Sequence, residues 1–165
     1  MTTSWESIAD CLRQELADYG GLLHLFEQQQ RSLFERDPNA VMGLGGAIEE
    51  QARSVAQCRA RREQVVASFA VEHGQPRTST LRALLPLIES DARPLLEALI
   101  DEVNALLHRV RRISRHNHTL LSRAVEVHQE VLQQLRPNAF TKTYSPAGMV
   151  SVTPAQSAST LCVAG

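Results

Sequence analysis

Aromatic residues are scarce in this chain: four Phe, two Tyr and one Trp make up 4% of its 165 residues. None is interleaved with basic residues in the way that stacks nucleic-acid bases, and no period-two alternation marks a strand-rich core. Cysteine is confined to Cys11, Cys58 and Cys162, an odd and widely spaced set with no CxxC pair. That excludes a disulfide framework or a zinc site and fits a reducing compartment. Long apolar runs are missing too, since no window approaches the roughly 18 residues of a membrane span. The N-terminus carries a tryptophan and acids where a signal peptide needs a positive stretch and an apolar run. The expectation is a soluble, cytoplasmic protein without membrane insertion. Neither sign of charge dominates: 17 bases face 18 acids, for a net of −1, so no global field draws nucleic acid or acidic lipid.

Chemical motifs are equally sparse. "GLGG" at Gly43 to Gly46 lacks the lysine and the preceding strand of a phosphate loop. The six histidines, His24, His73, His108, His116, His118 and His128, form no HExxH, no i,i+4 pair with a matching carboxylate and no Glu-x-x-His. A helical rod gives its Ser, His and Asp no concave, water-excluding pocket. No enzyme, no metal and no cofactor are expected. The terminal Cys162-Val-Ala-Gly has a poor last residue for a prenylation box and no polybasic run before it.

Helix is what remains, in abundance. Leu, Ala, Val, Gln, Glu and Arg dominate, a mixture that favours it. From Ser4 to Arg36, Trp5, Leu12, Tyr19, Phe26 and Leu33 recur every seven residues, with Ile8 and Leu22 between them. Thr3 and Glu6 have capping-box spacing, and Gly20-Gly21 marks a bend or a close crossing. Asp37-Pro38 breaks and restarts the pattern. A second helix then runs to about His73 on Val41, Leu44, Ile48, Val55, Cys58, Val65 and Phe69, with Gly74 as C-cap. Thr78 to Leu87 is a short helical turn, and Ser90 or Asp91 caps a third long helix.

The third helix has the cleanest pattern. One heptad series is Leu96, Val103, Val110, Asn117, Ala124 and Val131; the other is Leu99, Leu106, Ile113, Leu120 and Val127. Leu107, Leu121 and Leu135 widen the stripe. About 40 residues at 1.5 Å each give a rod on the order of 60 Å long. The fold class is therefore all-α, an elongated antiparallel helical bundle or coiled coil of three long helices plus a short linker helix. Residues 1–137 form the bundle and 138–165, rich in Pro, Ser, Thr, Ala and Gly, a disordered C-terminal tail. Three helices make a thin core, and the longest is expected to leave part of its apolar face open as a partner site.

Two features have more than one reading. "HRVRRISRH", His108 to His116, is either a solvated face balancing acids elsewhere or a contact surface for phosphate. The first is favoured, so no nucleic acid is expected. Asn117 at a core position either forms an interhelical hydrogen bond or contacts a partner.

Taken in order, these pieces resemble the FlgN family of flagellar export chaperones. Arg62 in "RARREQVV" is similar to an arginine late in the family's second helix, and "TLRALLPLI" from Thr80 looks like its linker helix. "ISRHNHTLL", Ile113 to Leu121, resembles its N-x-x-N-x-x-LL stretch, with Ser114 in place of the first asparagine. "TYSPAGMV" resembles its tyrosine-glycine tail, with Ser145 where a glycine is common. The resemblance spans roughly residues 8 to 150. It implies an ATP-independent chaperone in the type III export system. Its clients would be the hook-associated proteins FlgK and FlgL, bound by their C-terminal segments and brought to the export gate protein FlhA.

The client surface would be the apolar stripe of the third helix, namely Leu106, Val110, Ile113, Asn117, Leu120, Leu121, Ala124, Val127 and Val131. The resemblance assigns export-gate contact to Tyr144, with Gly148 permitting a turn. Tyrosine offers large contact area and few rotatable bonds, although folding back onto the bundle is the other reading. The chain is expected as a monomer or weak homodimer. The alternative to a chaperone is a general helical adaptor or scaffold without a dedicated client.

Overall fold

The structure is a computed structural model that describes residues 5–135, 140–144 and 150–154. Four α-helices account for the first of these stretches: α1 (Trp5–Phe34), α2 (Pro38–Glu72), α3 (Leu81–Leu84) and α4 (Arg93–Leu135). A 3-10 turn over Leu85–Leu87 follows α3 directly.

Local chemistry sets the helix boundaries. At the end of α1 the Asp37 amide donates to Ser32 O and the Arg36 amide to Leu33 O. This is a Schellman closure with Arg36 in the left-handed position at φ 56°. Asp37 also opens α2, its carboxylate accepting from the Ala40 amide at 3.0 Å, with Pro38 as first helical residue. The end of α2 repeats the closure with Gly74 at φ 68°, Gly74 N donating to Val71 O and Gln75 N to Ala70 O. Thr80 caps α3 through Ala83 N at 3.3 Å. The Thr3–Glu6 capping box lies outside the described residues at Thr3.

The helices α1 and α2 run antiparallel. Cys58 Sγ donates to Cys11 O at 3.7 Å, while Gln51 Nε2 donates to Asp18 O at 3.0 Å, so residues later in α1 meet residues earlier in α2. Gly21 sits at this crossing: a Cβ there would lie 3.0 Å from Gln51 Nε2. Of the bend and the close crossing that Gly20-Gly21 allows, the crossing is present at Gly21.

The core draws on every helical element. Ile8, Leu12, Tyr19 and Leu22 come from α1, and Val55, Val66 and Phe69 from α2. Leu84, Leu85 and Ile88 come from the short segment, and Leu96, Ile100, Val103 and Val110 from α4. Each fully buried Leu or Ile contributes about 1.5–3 kcal/mol. The linker helix is thus part of the core rather than a simple connection. Arg93 ties the start of α4 to it, donating to Ile88 O at 2.8 Å and Pro86 O at 2.7 Å.

The chain divides into two compact units, Met1–His118 and Thr119–Gly165. Within residues 5–135 every buried residue lies in the first. In the second, beyond α4, β1 (Phe140–Tyr144) and β2 (Val150–Pro154) pair antiparallel, Phe140 opposite Pro154 and Tyr144 opposite Val150. The tail expected over residues 138–165 is described only at 140–144 and 150–154, the two segments of this pair. The short alternation Val150-Ser151-Val152-Thr153 is its only trace in the sequence.

Candidate functional site

On α4 the heptad series passes from buried to exposed. Leu96, Leu99, Val103 and Val110 are buried, Leu106 and Ile113 are half-buried against the core, and Asn117 is only 1% exposed. Leu120 and Leu121 are half-buried. Ala124 and all that follow are exposed, including Val127 at 56%, Val131 at 49% and Leu135 at 73%. Val125 and Leu132 widen this open part. Their seven-residue spacing is the signal of that in the sequence.

Of the nine residues expected to face a client, Val110 and Asn117 are therefore occupied by the bundle itself. Val110 belongs to the core cluster. Asn117 Nδ2 donates to Phe26 O at 2.8 Å and Gln29 Oε1 at 3.0 Å, both on α1, while its Oδ1 is buried without a partner. Of its two readings, the interhelical hydrogen bond is the one present. Leu106 and Ile113 also pack against the core. Leu120, Leu121, Ala124, Val127 and Val131 remain wholly or partly open. Phe34 and Met42 are exposed as well, though as single residues near the α1–α2 connection.

Arg62 turns inward. Its Nε lies 3.0 Å from Glu15 Oε1. The angle is not that of a hydrogen bond, and Oε1 is left without one. Glu15 is 1% exposed. Burial raises its pKa, opposed by the attraction of Arg62 and Arg59. The two described cysteines are similarly enclosed. Burial pushes the Cys58 thiol up to about 11, with the Glu15 charge adding to it, so Cys58 is not a thiolate nucleophile at neutral pH.

The basic run of α4 lines a cleft of about 290 Å³ against α1, formed by Leu23, Glu27, Gln30, Arg109, Arg112, Ile113 and His116. Arg109 Nη2 stands 3.9 Å from Glu27 Oε1. Nothing in the sequence links residue 27 to residue 109, so this pairing was not legible there. All six histidines are exposed: His73 stacks on Phe69, with ring centroids 4.1 Å apart, and His24 pairs with Gln28 at 3.0 Å. Among the described residues no three His, Cys, Asp or Glu side chains come together to hold a metal, and no helix is long and apolar enough to cross a membrane. Tyr144 ends β1. Gly148, Ser145 and Cys162 lie outside the described residues.

The chain matches the FlgN protein family over residues 1–151. It belongs to the FlgN family. No curated protein and no solved structure matches it. Members of the FlgN family are flagellar export chaperones, which bind hook-associated proteins. Three of the four stretches behind the resemblance have a place among the described residues, and the fourth, from Thr143 to Val150, is described only at its ends. Arg62 faces buried Glu15, and the linker supplies Leu84, Leu85 and Ile88 to the core. The Ile113–Leu121 stretch contains Asn117, the last buried position of α4.

Proposed function

We propose that this chaperone binds the C-terminal segments of FlgK- and FlgL-type hook-associated proteins on the open part of α4, prevents their premature assembly, and delivers them to the FlhA-type export gate. One observation carries the reading: a heptad stripe, broken only by Asn117, whose first part is core and whose last part, from Ala124 to Leu135, is exposed. An amphipathic client helix completes such a stripe by supplying the missing apolar face. Ordering the client segment offsets part of the gain and keeps binding reversible. Chaperoning by burial needs no catalytic group and no cofactor.

Client titration by calorimetry tests this. Val127→Asp with Val131→Asp is expected to weaken binding of a FlgK- or FlgL-type C-terminal segment about tenfold or more, with the unfolding midpoint unchanged, because both residues are exposed in the free chain. Undiminished binding removes α4 as the client surface.

The gate contact is assigned to Tyr144 and Gly148. Its support is the tyrosine-glycine resemblance and the suitability of tyrosine as an anchor. Tyr144→Ala is expected to reduce binding to an FlhA-type gate and leave client binding intact; loss of both gives the tail a structural role. In light scattering a monomer or weak homodimer is expected. A stable higher oligomer that binds no client favours a general adaptor or scaffold instead.

A further inference from the structure

We propose that the α1–α4 cleft lined by Arg109, Arg112 and His116 receives a carboxylate from the client segment, so that the chaperone reads acidic side chains as well as apolar ones. This deepens the chaperone reading and rests on it. Three observations support it.

The first is the charge pattern of α4. Between Glu102 and Glu126 the helix carries Arg109, Arg111, Arg112, Arg115 and Arg123, with His108, His116 and His118, and no acid at all. A chain with a net charge of −1 has here concentrated one sign of charge on one stretch of one helix. The second is the balance of the cleft. Its lining includes a single carboxylate, Glu27, and that stands 3.9 Å from Arg109, beyond hydrogen-bond reach. Two guanidinium groups and an imidazole thus face one acid, which leaves room for about one more negative charge. The third is the lining itself. Leu23 and Ile113 give the cleft an apolar portion beside the cations, and Gln30 adds an amide donor. That combination suits an acidic side chain leaving an apolar helix face.

These features favour a protein carboxylate over a nucleic-acid backbone. Glu27 repels a run of phosphates but tolerates one carboxylate held by Arg112. No aromatic residue lines the cleft to stack a base. Arginine is the suitable cation, since its planar fork meets a carboxylate with two parallel hydrogen bonds. Arg109 is 59% exposed at the side chain, so each contact is worth little alone and is weakened by salt.

The test uses the full-length chain and two synthetic versions of a FlgK- or FlgL-type C-terminal segment. One has its native acids, the other Gln and Asn in their place. At low salt the native version is expected to bind about fivefold more tightly. In Arg109→Gln/Arg112→Gln that preference vanishes and the salt dependence flattens, whereas Arg53→Gln, an exposed cation on α2, retains both. Equal binding of the two versions by the wild-type chain overturns the inference while the chaperone reading stands. Persistence of the preference in the double variant overturns it too. Binding of a labelled DNA duplex at physiological salt, lost in the double variant, assigns the cleft to phosphate and also overturns it. Failure of both versions to bind the wild-type chain removes the chaperone reading and this inference together.

Discussion

Three polar side chains are buried in this bundle, Glu15, Asp18 and Asn117, and Glu15 and Asn117 are the most completely enclosed. Asn117 occupies a heptad core position and uses its amide to hold Phe26 O and Gln29 of α1. Its position was readable from spacing, but its partners were not, because they lie about ninety residues away in sequence. Truncation removes those bonds and opens a small cavity, so Asn117→Ala is expected to cost about 2 kcal/mol in urea denaturation. Glu15 gives the opposite expectation. Its pKa is raised by burial, so the native state holds the proton more tightly than the unfolded chain does. That contribution is complete below the ordinary carboxyl value of 4.5 and is lost as pH rises through the elevated native value. Glu15→Gln should therefore flatten stability against pH above 4.5 and leave stability at pH 7.5 equal or higher. A loss at pH 7.5 shows instead that attraction to Arg62 outweighs the cost of burial.

At the scale of the element, helix propensity and helix crossing make different demands on adjacent residues. Gly20 has open space where a Cβ would go, and Gly21 has Gln51 Nε2 at 3.0 Å. Gly20→Ala is expected to raise stability by about 1 kcal/mol. Gly21→Ala gains the same propensity but displaces Gln51 from its bond to Asp18 O, so thermal unfolding should show little or no gain. Both glycines look alike in the sequence, and only the path of α2 separates them. The helices themselves were legible because local rules write them: heptad stripes, Asp37-Pro38 at one boundary and Gly74 at the next. The left-handed Arg36 was not legible, since nothing in its side chain favours that conformation. Nor was the pairing of β1 with β2, which the sequence marks only by a few alternating residues.

For the whole molecule, the decisive feature is where burial stops. Within residues 5–135 all buried residues precede His118, so the buried core belongs to the first unit, while Val125, Val127, Val131, Leu132 and Leu135 form a run of exposed apolar side chains at the end of α4. A chain ending at Leu121 is expected to unfold cooperatively within about 5 °C of the full chain's midpoint, a change of about 1 kcal/mol. It should also lose client binding. A collapse of the midpoint would show that residues beyond 121 stabilise the bundle, and the open-stripe reading would fall with it.

The sequence by itself determined the helix count, the boundaries at Asp37 and Gly74, the seven-residue stripes and the likeness to FlgN chaperones. Those follow from interactions among residues near one another along the chain. Only the tertiary structure decided which part of the α4 stripe is already covered, which α1 groups Asn117 and Arg109 meet, and that Arg62 faces a buried carboxylate. A heptad stripe is written identically whether its partner is in the same molecule or another, because helical periodicity records that a face is apolar and carries no information about what packs against it.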